Sequence, residues 1–199
     1  MLARGGGKRT AVLKKALGGV LRGTAEETAA EGGAPREPDP VGCALCFPAG
    51  TLVATPRGPR RIQTLHVGDT VLAEDPTTHK VEAEPLQAVR HDPAAPLMAI
   101  NLSDGSTITA TLTHAFWVDA GGGLAHAGWL YAEHLRVGDQ LRTASGTHVV
   151  VVGLRYNVGQ ANVYTLTVAH DHTFFVGTAR VLVHNALAVA MAWPLNSKT

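Results

Sequence analysis

The chain has 199 residues, of which 45% are hydrophobic and 17% charged, and its formal net charge is +1. This length is sufficient for one domain with a hydrophobic core. The small net charge and the 5% aromatic content argue against a nucleic-acid-binding protein, which needs a basic patch or stacking rings. No apolar stretch reaches the roughly 18 residues that a membrane span requires.

Residues 1–45 differ in composition from the rest of the chain. The segment "MLARGGGKRTAVLKKALGGVLRG" carries six positive charges and no acidic residue. The following "TAEETAAEGGAPREPDPVG" is acidic and rich in Gly and Pro, which is typical of a linker. We interpret residues 1–45 as an N-terminal arm and linker, with a short amphipathic helix over residues 10–21. The arm lacks the continuous apolar region of a secretory signal.

From Cys46 onward the sequence consists of short, strand-like runs separated by Gly, Pro, Asp and Asn. These runs are "TLVAT", "DTVLAE", "LMAINLS", "STITATLT", "AFWVD", "THVVVVGLRY", "NVYTLTVA", "HTFFVG" and "RVLVHN". Many short strands with frequent turns predict an all-β fold. The segments "IQTLHVGD" and "AEHLRVGD" each predict one helical turn.

Two sequence echoes recur in the same order. "LHVGDTVLA", which begins at Leu65, is echoed by "LRVGDQLRT", which begins at Leu135. "THAFWV" is echoed by "DHTFFV". The two echoes together predict a duplicated unit folded about a pseudo-twofold axis, with each half contributing one histidine, His114 and His172, to a shared centre.

The two cysteines, Cys43 and Cys46, stand in a C-x-x-C arrangement. This spacing suits a redox pair, half of a zinc site, or a nucleophile with a neighbour. A buried cysteine can also be a small hydrophobe with no chemical role. In "TLTH", Thr111 precedes His114 by three residues and could hold the imidazole or donate to a carbonyl, although this pattern alone is common.

His184 and Asn185 close the last strand-like run. An Asn at such a position can serve a turn. Its side-chain amide can also attack its own backbone carbonyl, which closes a succinimide and releases the nitrogen of Ala186. That nitrogen needs a proton, and an adjacent histidine is suited to supply it. The pair lies at the far boundary of the β-rich region that Cys46 opens.

Six segments in order resemble the Hint (Hedgehog/intein) domain, and most closely its bacterial intein-like and pretoxin branch. They are "CFPAGT", "RRIQTLHVGDTVLA", "TATLTHAFWV", "WLYAEHLRVGDQL", "VYTLTVAHDHTFFVG" and "VLVHN". The resemblance spans residues 46–185 and leaves 186–199 as a C-terminal flank. It implies a horseshoe-shaped all-β fold with pseudo-twofold symmetry that brings both ends of the domain to one site.

The resemblance implies roles at two junctions. At the first junction, Cys46 would attack the carbonyl of Leu45 to form a thioester, while Thr111 and His114 polarise that peptide bond.

At the second junction, Asn185 would cleave the bond to Ala186, with His184 and His172 assisting. Two departures from the family pattern matter. Thr165 in "VYTL" stands where the family often has Asp, so we expect slow thioester formation. Ala186 offers no nucleophilic side chain, so we expect ordinary splicing to fail.

The sequence therefore predicts a single-turnover, self-cleaving peptidase that needs no cofactor and is a monomer. Its substrates are its own flanking polypeptides, with cleavage after Asn185 and a second cut before Cys46. In the branch that it resembles, such domains release a C-terminal toxin. Here "ALAVAMAWPLNSKT" is too short to be a folded effector, and we interpret it as the stub of a cargo.

Two alternatives stay open at this stage. One is a degenerate Hint fold that acts as a structural spacer. The other is a zinc module that uses Cys43 and Cys46 together with His114 and either His170 or His172. A related expectation is adventitious zinc at Cys46, His114 and His172 that inhibits cleavage.

Overall fold

A computed structural model of the chain describes residues 45–121 and 126–185. All of the described residues belong to one compact unit, which lies within Pro38–Thr199. The helix expected over residues 10–21, the linker that follows it, Cys43 and the flank 186–199 lie outside the described residues.

The described residues form thirteen β-strands and two short 3-10 turns, and they contain no α-helix. The strands are β1 (Phe47–Pro48), β2 (Leu52–Val53), β3 (Arg60–Arg61), β4 (Thr70–Glu74), β5 (Val81–Leu102), β6 (Thr107–Thr111), β7 (Ala115–Ala120), β8 (Gly128–Tyr131), β9 (Gln140–Arg142), β10 (His148–Arg155), β11 (Gln160–Val168), β12 (Thr173–Val176) and β13 (Val181–His184). The prediction of an all-β fold is confirmed. The 3-10 turns at Ile62–Thr64 and Ala132–His134 fall in the two segments where helical turns were predicted.

Strand β5 is much longer than the sequence predicts. Its final part, around "LMAINLS", has a strand pattern, but the preceding part contains Pro85, Pro93 and Pro96. Proline lacks a backbone N–H and usually indicates the edge or end of a strand. Here different parts of β5 pair with β4, β6, β10 and β11, so the strand continues through changes of partner.

The strands join in one antiparallel sheet with the order β1-β11-β5-β10-β9-β7-β13-β12-β2-β3. Strands β4 and β6 also pair with β5, and β8 pairs with β7. Two neighbour relations position the site described below. Strand β13, the last of the described chain, lies between β7 and β12, and strand β1, the first, lies against β11.

The predicted duplication is visible in the hydrogen bonds of the two "VGD" turns. Gly68 and Gly138 have φ of +87° and +101°, a conformation that favours glycine. The carboxylates of Asp69 and Asp139 each accept a bond from the backbone N–H three residues upstream, at 2.9 and 2.8 Å. The two turns therefore have the same construction, and each leads into a strand.

Three phenylalanines from three strands form the centre of the main core. Phe47, Phe116 and Phe174 are almost fully buried, and the ring of Phe47 meets the edges of the other two at centroid distances of 6.5 and 6.0 Å. Burying each phenyl ring stabilises the fold by roughly 1.5–3 kcal/mol. These contacts fix β1 against β7 and β12. Within the described ranges, no helix is long and apolar enough to cross a membrane.

Candidate functional site

The strand register brings three histidines together. In β13, His184 lies opposite Ala115 of β7 on one side and opposite Thr173 of β12 on the other. His114 and His172 each immediately precede one of those partners. Because both neighbouring strands run antiparallel to β13, their starts meet its end, and the two echoed histidines flank the His184–Asn185 pair.

His114 lies inside the aromatic core. Its ring has no exposed surface and sits 4.0 Å, centroid to centroid, from the ring of Phe47. Burial lowers the pKa of His114 to about 3, and the charge of His184 lowers it further in the same sense. His114 is therefore neutral at pH 7.

The backbone of Leu45 acts in the opposite direction and raises the pKa of His114. Neither ring nitrogen, however, has a described partner that satisfies hydrogen-bond geometry. The imidazole therefore lies near the Leu45 backbone without meeting the geometry of a hydrogen bond. Catalytic hydrogen bonds are often long in the resting state of a site.

His184 and His172 occupy the other side of the cluster. Burial, and then the charge of His172, lower the pKa of His184 to about 4. The indole of Trp129 packs edge-on against the His184 ring at 4.9 Å between centroids. The sequence predicts that His184 is suited to supply a proton, whereas burial makes it a much stronger acid that is seldom protonated at neutral pH. The Nδ1 atom of His172 is buried without a partner among the described atoms.

Asn185 directly follows β13 and is 3% exposed. Its backbone N–H donates to the carbonyl oxygen of His172 at 2.9 Å. Its side-chain Nδ2 donates to the carbonyl oxygen of Leu166. Its Oδ1 is buried without a partner in the described part of the chain. A buried acceptor without a partner destabilises a fold by about 1–3 kcal/mol.

Cys46 is fully buried at the start of β1. Its backbone N–H donates to Oγ1 of Thr111 at 3.0 Å, and the N–H of Thr111 donates to the Cys46 carbonyl oxygen at 3.0 Å. Cys46 is disulfide-bonded in this structure. Its sulfur is therefore capped in this state, and a reductant is needed before it can act as a nucleophile.

Thr165 holds the two reacting atoms expected at this junction. The Phe47–Tyr164 pair of β1 and β11 places Thr165 across from Cys46. Its hydroxyl donates to the carbonyl oxygen of Leu45 at 2.8 Å and lies 2.6 Å from Sγ of Cys46. From the sequence alone, Thr165 is expected only to remove a carboxylate. The strand register, which cannot be read from a single sequence, reveals the contact.

No group of three or more His, Cys, Asp or Glu side chains within residues 45–121 and 126–185 is arranged to hold a metal ion. The zinc site expected at Cys46, His114 and His172 is therefore not assembled, because phenyl rings surround the His114 imidazole and Cys46 is disulfide-bonded. His170 is exposed, and its Nδ1 lies 2.8 Å from Oε2 of Glu84.

The sequence profile of the pretoxin Hint domain matches residues 52–186, which is more than half of the chain. The chain belongs to the pretoxin Hint family. The matched region begins just after β1 and ends one residue beyond Asn185, so it contains all three histidines of the cluster.

Solved structures resemble this pretoxin Hint domain over most of its length. A bacterial intein-like domain from Clostridium thermocellum matches with a TM-score of 0.63 and 31% identity, covering 71% of this chain and 99% of that domain. A DnaB intein from Synechocystis sp. PCC 6803 matches with a TM-score of 0.59 and 21% identity, covering 71% and 99%. The gp41-1 intein matches with a TM-score of 0.57 and 21% identity, covering 70% and 98%.

The two inteins share the fold, and the intein-like domain supports the family assignment. A search of curated proteins gave no match. The histidine cluster, together with the Cys46 and Asn185 ends of the described region, is the candidate site of this pretoxin Hint domain.

Proposed function

We propose that this pretoxin Hint domain cleaves its own chain at two junctions, after Asn185 by succinimide formation and before Cys46 through a thioester. The observation that supports this most is the position of His114. Its buried imidazole lies 4.0 Å, centroid to centroid, from the ring of Phe47, the residue after Cys46. His114 also immediately precedes Ala115, which pairs with His184, the residue before Asn185. A single polar cluster thus adjoins both proposed junctions.

In the C-terminal step, Nδ2 of Asn185 attacks the Asn185 carbonyl carbon and the bond to Ala186 breaks. The hydrogen bond from Nδ2 to the Leu166 carbonyl restrains the attacking amide. Ring closure releases one proton from Nδ2, which balances the proton taken up at the other end of the broken bond. The nitrogen of Ala186 takes a proton as it leaves. The histidines nearest to this bond in the described structure are His184, in the preceding position, and His172, whose carbonyl accepts from the Asn185 N–H.

In the N-terminal step, the reduced thiol of Cys46 attacks the carbonyl carbon of Leu45, and the acyl group moves from nitrogen to sulfur. Thr111 anchors the nitrogen that leaves, since it accepts from the Cys46 N–H at 3.0 Å. His114 approaches the same peptide from the core. The thioester is then opened by water or by an added thiol, which releases residues 1–45.

The substrates of both steps are the flanking polypeptides of the same chain. The pretoxin assignment supports a larger parent protein in which the segment after Asn185 carries a toxin. We propose release of that segment, rather than splicing, as the outcome, because Ala186 has no side chain that could accept the acyl group.

The test is a fusion of the chain to a folded reporter after residue 199, followed by electrophoresis over several days at neutral pH with a chelator present. The wild type should release the reporter, and Asn185→Ala should release none. As a matched control, Asn157→Ala changes an asparagine in the turn between β10 and β11 and should release normally. If the wild-type fusion does not release its reporter, the self-cleavage function is wrong and the domain acts as a structural spacer.

A further inference from the structure

The hydroxyl of Thr165 bridges the two atoms between which the first bond would form. It donates to the Leu45 carbonyl oxygen at 2.8 Å and lies 2.6 Å from the Cys46 sulfur. A threonine hydroxyl has one proton and two lone pairs, so it can donate to one atom while it accepts from another. After reduction of the disulfide, the sulfur carries a proton that faces this hydroxyl.

The sheet holds Thr165 rigidly in this position. Thr165 is 5% exposed, and it pairs with Arg90 of β5 while its neighbour Tyr164 pairs with Phe47 of β1. Its β-branched side chain restricts rotation about χ1. The hydroxyl therefore needs little reorganisation to follow a reaction between Leu45 and Cys46.

The buried imidazole of His114, which packs against Phe47 next to Cys46, is a poor acceptor for the thiol proton. Burial holds the pKa of His114 at about 3, far below the ordinary value of about 8.5 for a thiol. A base this weak would leave the proton on sulfur. The proton therefore requires another route during attack.

We propose that Thr165 is a catalytic residue that relays the Cys46 thiol proton to the carbonyl oxygen of Leu45. As sulfur bonds to the Leu45 carbonyl carbon, the thiol proton moves to Oγ1 of Thr165 and the Thr165 hydroxyl proton moves to the carbonyl oxygen. The carbonyl π-bond opens, and a neutral tetrahedral adduct results. The threonine recovers its hydroxyl.

The adduct then collapses to the thioester. The bond between the Leu45 carbon and the Cys46 nitrogen breaks, the carbonyl re-forms, and the proton of the adduct hydroxyl ends on the Cys46 nitrogen. The whole step is a rearrangement whose only co-reactant is the thiol reductant that first opens the Cys46 disulfide. This inference rests on the proposed function and assigns to Thr165 a chemical role at its N-terminal junction.

The experiment compares Thr165→Val, Thr165→Ser and the control Thr167→Val in the reduced full-length chain. Thr167 lies two residues further along β11, so its replacement tests the same change without the bridging hydroxyl. Dithiothreitol-induced release of residues 1–45 reports on thioester formation. Cleavage after Asn185 in the same molecules reports on the integrity of the fold.

Thr165→Val should slow N-terminal release by roughly 10²–10⁴-fold, the usual contribution of positioned proton transfer. Cleavage after Asn185 should stay near its wild-type rate. Thr165→Ser keeps the hydroxyl without the β-branch, so it should release residues 1–45 at a rate between those of Thr165→Val and the wild type. Thr167→Val should release them at the wild-type rate.

The pH profile separates a relay from a structural role. With enough dithiothreitol that thioester formation limits the rate at every pH, an internal relay makes wild-type release nearly independent of pH between 6 and 8. Without it, the thiol must ionise to solvent, so release by Thr165→Val should rise about tenfold per pH unit below the thiol pKa.

If Thr165→Val releases residues 1–45 at the wild-type rate and with the wild-type pH profile, the relay is overturned but the proposed function is not. The same holds if Thr167→Val slows release as much as Thr165→Val does. A reduced wild type that cleaves at neither junction would instead overturn the proposed function.

Discussion

The pH dependence of cleavage after Asn185 follows from the burial of His184. Its pKa is about 4, so the protonated fraction at pH 7 is about 10⁻³ and grows about tenfold for each unit of pH that is removed. If His184 protonates the leaving nitrogen of Ala186, the cleavage rate should rise by the same factor. Two groups that interact with it electrostatically are also histidines, His114 from the side of β7 and His172 from the side of β12.

A histidine with an ordinary pKa would behave differently over the same range. With a pKa of about 6.5, the protonated fraction grows only about twofold between pH 6.5 and pH 5.5. The buried His184 predicts a rise of about tenfold over that interval. The difference of about fivefold is large enough to measure by single-turnover cleavage.

The assay follows reporter release from the fusion protein at pH 8.0, 7.0, 6.5 and 5.5, in buffers of constant ionic strength. His184→Ala should cleave roughly 10²–10⁴-fold more slowly and should lose the tenfold slope. A wild-type rate that levels off below pH 6.5, or that rises with pH, would refute the assignment of His184 as the proton donor.

Two further predictions concern stability and redox state. His114 and His184 bind a proton near pH 6.5 when unfolded but only near pH 3–4 when folded, so their contribution to stability is complete above pH 6.5 and is lost as the pH falls below it. At pH 5 each of the two histidines should lower the free energy of unfolding by about 2 kcal/mol. Thermal melts of the wild type at pH 7 and pH 5 would detect this loss. Equal melting temperatures at the two pH values would be inconsistent with it. Release of residues 1–45 should require a reductant because Cys46 is disulfide-bonded, whereas cleavage after Asn185 should not. Measuring the intact mass with and without dithiothreitol tests both expectations. The only other cysteine in the sequence is Cys43, so Cys43→Ala should remove the reductant requirement, and continued dependence would contradict this explanation.

Local patterns in the sequence were enough to predict much of the fold. Period-two alternation identified the strands around the site, and the two "VGD" echoes predicted a duplicated unit, in line with the matching hydrogen bonds of Asp69 and Asp139. The long first part of β5 was missed because Pro85, Pro93 and Pro96 suppress a strand pattern, while pairing with successive neighbours sustains the strand.

The site was only partly predictable for a physical reason. The echo of His114 and His172 indicated a shared centre, and the register of β7, β12 and β13 brings both next to His184. The lowered pKa values of His114 and His184 depend on burial by side chains that are distant in sequence. The bridge made by Thr165 likewise depends on the pairing of β1 with β11, which no local pattern encodes.

If Asn185 cuts the chain with its own side chain, the mass of the released product should show it. Succinimide formation leaves a domain that ends at Asn185 and is one water lighter than the hydrolysis product. Intact mass spectrometry of the wild-type fusion, quenched early in acid, should show this lighter species converting to the hydrolysed one, and Asn185→Ala should show neither. A product that ends at any other residue, or that carries the full mass of a hydrolysed Asn185 terminus from the earliest time, would contradict the account.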